Sequence, residues 1–93
     1  MPKIAIYKAL IFYLVSYYLS ERIHLHVFSK KHNREGSAKM WLDTCEVFSK
    51  GALSREELAL AVKLVEKNKS ELIDAIELFR RSNIIKTVAL KLK

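Results

Sequence analysis

Cysteine occurs once in this 93-residue chain, proline once and glycine twice. The single thiol, Cys45, can close no internal disulfide and build no multi-cysteine zinc site, so a reducing cytoplasm is the expected location. Scarce proline and glycine exclude collagen-like and linker chains, and a 51% hydrophobic content excludes a disordered acidic tail. Neither a glycine-rich phosphate loop nor a nucleophile elbow occurs, which leaves most enzyme classes without their parts. Also lacking is an apolar run of membrane length. Ile4 to Leu19 is apolar or aromatic except for Lys8 and Ser16, yet it falls short of the ~20 residues that span a bilayer as a helix. The continuation Tyr18-Leu19-Ser20-Glu21-Arg22 offers no small-residue cleavage site. No membrane partner is expected.

A chain of this length supports one modest core. Its first half has the residues and the period of strands. Ile, Val, Tyr and Phe crowd Lys3 to Tyr7 and Leu10 to Tyr17, which are expected to form two strands joined by a tight turn at Lys8-Ala9. Ile23 to Phe28 then alternates, with Ile23, Leu25 and Val27 on one face and His24, His26 and Phe28 on the other. Lys30 to Gly36 reads as a polar hairpin loop, and the chain returns through Ala38 to Leu42. Asp43-Thr44 bends it before a short fifth strand in Cys45 to Phe48, and Gly51 ends the run.

From Ser54 the period changes to 3.6. Ser54 and Glu57 have the spacing of a capping box, and Leu58, Ala61, Val62, Val65, Leu72, Ile76 and Phe79 form one apolar stripe that would cover the sheet. Lys67 to Ser70 interrupts the stripe, with Asn68 or Ser70 available to cap a second helix, so one bent helix and two helices are both open. Asn83 suits a left-handed stop. The expected architecture is α+β: an antiparallel four- to five-stranded sheet packed against a C-terminal amphipathic helix or helix pair. Residues 1–82 form the single domain, and 83–93 a tail or edge strand.

The chain's net charge of +7 is unevenly spread. Residues 1–34 carry six bases and one acid, 35–52 two and three, 53–81 six of each, and 82–93 three bases. The helical region is therefore neutral, and the basic field arises from the sheet, the Lys30 to Arg34 loop and the tail. Such a surface can release counterions from a phosphate backbone, and it can equally be a solubilising edge.

Several segments carry a family resemblance. Met1-Pro2-Lys3-Ile4, the strand His24-x-His26-Val27, Ala38-Lys39-x-Trp41-Leu42-Asp43 and the helical pattern around Leu64-Val65-Glu66-x-Asn68-Lys69-x-Glu71-Leu72 resemble the small prokaryotic family of domain of unknown function 4160. The likeness covers roughly residues 1–80. It implies a compact antiparallel sheet followed by helix, and a gene often placed beside a small partner of domain-of-unknown-function family 2442, an arrangement like that of a toxin and its antitoxin. Two positions depart from the family pattern: Ile23 stands where proline commonly precedes the His-x-His strand, and Lys8-Ala9 where the first turn commonly has glycine.

A toxin acting on RNA would draw on few groups here. His24 and His26, at i and i+2 on one strand face, could serve as catalytic base and acid on a phosphodiester, and Lys30, Lys31, His32, Arg34 and Lys39 are candidate nucleic-acid contacts. Paired histidines on a half-exposed strand are also ordinary sheet residues. His24, His26, Asp43 and Cys45 are all metal-ligand types, but their spacing fits no zinc signature; neither metal nor cofactor is expected. Tyr7, Phe12, Tyr13, Tyr17, Tyr18 and Trp41 divide between core and one or two base-stacking positions. The expectation is thus an RNA-directed toxin, as endoribonuclease or RNA-binding translation inhibitor, with a small antitoxin-like partner. The alternative is a non-catalytic module that binds such a partner or nucleic acid. A homodimer through edge strands is open in both.

Overall fold

In a computed structural model, residues 2–15, 22–31 and 36–92 are described. Five strands come first: β1 (Lys3–Tyr7), β2 (Leu10–Leu14), β3 (His24–Ser29), β4 (Ala38–Trp41) and β5 (Val47–Ser49). Two helices follow, α1 (Arg55–Lys67) and α2 (Lys69–Ser82), and a two-residue strand β6 (Val88–Ala89) ends the fold. The sheet order is β5-β4-β3-β2-β1-β6. The first five strands make an antiparallel meander. Leu10 to Tyr17 was expected as one strand; β2 ends at Leu14, and Tyr17 lies outside the described residues.

The sheet departs from expectation in having six strands and being mixed. β6 pairs with β1 in parallel, Ala5 opposite Val88 and Ile6 opposite Ala89. A parallel neighbour needs a crossover, and the helix pair supplies it: leaving β5 at one edge, it delivers the chain to the other. Val88, Leu90 and Leu92 alternate inward against exposed Ala89 and Lys91 as an edge strand should, but nothing local in 84–93 tells a parallel partner from an antiparallel one.

Register decides which side chains meet the helices. Phe12, Val27 and Ala38 oppose one another across three strands, as do Leu14, Leu25 and Met40, and all are essentially fully buried. The same core receives Ala61, Leu64, Val65, Leu72, Ala75 and Ile76 from the helices, with Leu58, Val62 and Phe79 packed at its margin. The helix stripe therefore covers this face. Ile11, Tyr13 and Phe28 point the other way into a separate cluster with Ile6, and Tyr13 stacks on Phe28 at 5.2 Å.

Local chemistry sets the boundaries. Lys8 takes a left-handed φ of 51° in the first turn, a conformation costing a residue with a Cβ about 1–2 kcal/mol; its ammonium lies over the Tyr7 ring. Gly51 also has positive φ, and a Cβ there would collide with the carbonyls of Gly36 and Ser37. The capping box forms, with Ser54 Oγ accepting from the Glu57 amide at 3.1 Å and Glu57 Oε1 from the Ser54 amide at 2.8 Å. Asn83 stops α2 with φ 61°.

The helix break resolves into two helices, but Asn68 makes no side-chain cap. Its Nδ2 donates to the carbonyls of Leu64 at 2.7 Å and Lys91 at 2.8 Å, and its Oδ1 accepts from the Lys91 amide at 3.2 Å. The buried amide thereby imitates a strand partner for the tail, placing Val88 and Leu90 in the core.

Leu72 and Ile76 are 0% and 1% exposed, so Leu72→Asp or Ile76→Asp puts a charge without a counterion into the helix–sheet seam. Each variant is expected to lose several kcal/mol of stability, read as a lowered urea midpoint. An unchanged midpoint would show the seam to be misplaced.

Candidate nucleic-acid interface

The sheet face opposite the helices is written by the same alternation that fills the core. Tyr13, His26, Lys39 and Ser49 oppose one another across β2 to β5, and His24 opposes Trp41. The two imidazoles lie with ring centroids 5.5 Å apart, inclined by 47°, and both are half-buried. Lys39 stands directly across the ladder from His26. Burial, the His24 imidazole and the Lys39 ammonium together push the His26 pKa below its ordinary value, because each disfavours the charged ring.

An aromatic group borders the imidazoles. Trp41 and Phe48 stack at 4.4 Å with planes 26° apart, and His24 meets both edge-on at 5.7 and 5.8 Å. Phe48 reaches this face at an irregularity in the β4–β5 ladder, where Lys39 opposes Ser49 while Met40 opposes Val47. The extra residue is a bulge, which re-aims a side chain. The Arg22 guanidinium carbon lies 4.1 Å from the Trp41 ring centroid, and Asp43 grips the same guanidinium through contacts of 2.9, 3.0 and 3.2 Å. This forked pairing holds the Asp43 carboxyl below the usual carboxylate range.

The turn after β4 presents Asp43. Asp43 Oδ1 accepts from the Thr44 amide, Thr44 Oγ1 from the Glu46 amide, and the Lys69 ammonium donates to the Asp43 carbonyl. Cys45 completes the turn with φ 61°. Its buried thiol approaches the Leu42 carbonyl, and burial pushes the thiol pKa up, the reverse of what nucleophilic activation requires. Among the described residues no three His, Cys, Asp or Glu side chains gather as metal ligands.

The structure therefore joins His24, His26 and Lys39 and sets Lys30 and Lys31 apart. Lys30 follows β3 at its far end, its amide bonded to the Ala9 carbonyl, about 13 Å along the strand from His26. His32 and Arg34 lie outside the described residues. Of the aromatics, Phe12 is core, Tyr7 packs beside the core, Tyr13 is buried against Phe28, and Trp41 reaches the site; Tyr18, like Tyr17, lies outside the described residues. Sequence reasoning missed Arg22 and Phe48. Arg22 precedes its strand with no marking pattern, and Phe48 depends on a one-residue ladder slip; only its place in a short edge strand beside Trp41 hinted at it.

The lowered His26 pKa has a defined consequence for stability. The unfolded imidazole holds a proton at pH values where the folded one has released it, so stability is highest above the ordinary histidine range and falls as pH drops through it. The acid-side decline in melting temperature, followed from about pH 8 to 5, is expected to shrink in His26→Gln. Lys39→Met should raise the His26 titration midpoint seen by NMR; a midpoint that stays put would remove Lys39 as a cause.

No curated protein and no solved structure matches this chain. The family model of the domain of unknown function DUF4160 matches residues 10–76, from β2 into the middle of α2 and including both imidazoles. With well over half of its length matched, the chain belongs to the DUF4160 family.

Proposed function

We propose that the sheet face opposite the helices engages RNA, and that the protein acts as the RNA-directed toxin of a cytoplasmic toxin and antitoxin pair. The carrying observation is the placement of two imidazoles 5.5 Å apart on one strand face, with Lys39 across the ladder from one of them. The net charge of +7 adds a field that draws a polyanion. No helix among the described residues is long and apolar enough to cross a membrane. The toxin role and the small antitoxin-like partner rest on the gene arrangement common in the family.

The chemistry open to such a pair is transesterification. His26, held neutral by its surroundings, takes the proton of a ribose 2′-hydroxyl while that oxygen bonds to phosphorus. The phosphorus to 5′-oxygen bond breaks, and His24, entering as imidazolium, protonates the departing oxygen. The products are a 2′,3′-cyclic phosphate and a 5′-hydroxyl. Lys39 lies where an ammonium can stabilise charge on the five-coordinate phosphorus.

Purified protein in chelator is expected to cleave single-stranded RNA to cyclic-phosphate ends. His24→Ala and His26→Ala should each slow cleavage on the order of 100-fold or more with unchanged melting, and should relieve growth arrest on induction. Cleavage by the double variant at the wild-type rate would remove the acid–base assignment; failure of the wild type to retain RNA at all would remove the RNA reading.

A further inference from the structure

Trp41 is the obvious base platform of this face, being its largest ring. Its surroundings argue otherwise. The Arg22 guanidinium lies 4.1 Å from the Trp41 ring centroid and the Phe48 ring 4.4 Å from it, nearly parallel. Two planar groups at that range cannot share one side of a ring, so they take opposite sides and Trp41 is sandwiched. His24 blocks an edge. Neither face of the indole is left for a ligand.

Phe48 differs. Its inner face rests on Trp41 and its edge meets His24, yet the residue is 45% exposed. Phe48 lies on β5, which among the described residues is an edge strand with no neighbour beyond it, so the ring face turned away from Trp41 is the one open to a ligand. Among the described residues the other large exposed apolar side chains, Ile73, Ile84 and Ile85, lie on α2 or just after it, so within that set Phe48 is the bare ring beside the imidazoles and Lys39.

Resting on the RNA reading above, we infer that Phe48 is the stacking platform for one unpaired nucleobase of the bound strand. Trp41 and Arg22, fixed by Asp43, are positioning residues that hold the ring upright. A planar ligand with a π-face and an attached anion matches this pairing of bare ring and cationic surroundings. A paired base would have its faces already stacked.

The test uses full-length protein and 2′-O-methyl oligoribonucleotides, which cannot be cleaved, carrying 2-aminopurine at each position in turn. One position is expected to be quenched on binding. Phe48→Ala should abolish that quenching and weaken binding about tenfold or more, while Phe48→Tyr, which keeps the ring, restores both. Circular dichroism of Phe48→Ala reports whether the fold is retained, and Phe48→Tyr carries the test if it is not. Wild-type affinity in Phe48→Ala, with RNA binding intact, overturns the platform alone, as does equal affinity for the corresponding duplex. Absence of binding by the wild type overturns the RNA reading and the platform with it.

Discussion

Strand alternation forces every second side chain of the sheet to one face, and the two helices can cover only one of the two faces. Both the core and the site follow from that constraint. The rows Phe12-Val27-Ala38 and Leu14-Leu25-Met40 meet Leu64, Val65, Leu72 and Ile76. The alternate rows, Tyr13-His26-Lys39 and His24-Trp41, carry what the covered side could not accommodate: two imidazoles, an ammonium and a tryptophan. Leu25 and Val27 anchor β3 in the core and thereby aim His24 and His26 outward. A shift of one residue would exchange the two sets, burying charge and exposing aliphatics, so hydrophobic burial enforces the geometry of the polar face.

On that face the electrostatics are graded. Near His26 everything disfavours positive charge: partial burial, a second imidazole and Lys39. On the far side of Trp41 from the Phe48 ring, Arg22 is matched by Asp43 in a forked pair. This exposed pair adds little stability by itself, but it fixes the guanidinium against Trp41 and so settles which rings remain open. The imidazoles and Lys39 lie beside the aromatic column, and the neutralised charge lies within it.

Much of this was legible in the residues. Alternation in Ile23 to Phe28 separates core from face correctly, Ser54 and Glu57 mark the helix start, and Asn83 marks its end. Longer-range features were not. The parallel β6 depends on where a crossover returns the chain, which no local signal records. Asn68 reads as a cap because asparagine favours helix starts, yet its partner is Lys91, 23 positions away. Lys30 and Lys31 belong to the same basic segment as the candidate contacts, but β3 carries them about 13 Å or more from His26. Phe48 reached the site through a bulge, and Arg22 from just before β3; both depend on register rather than composition.

The Asn68 amide has an implication for the ageing of the molecule. It spans a helix junction and the last stretch of the fold by donating twice and accepting once. Deamidation would replace the donor nitrogen with oxygen and set a carboxylate against the Leu64 and Lys91 carbonyls. The durability of the C-terminal attachment is thus tied to the chemical lifetime of one carboxamide, which its burial shields from hydrolysis.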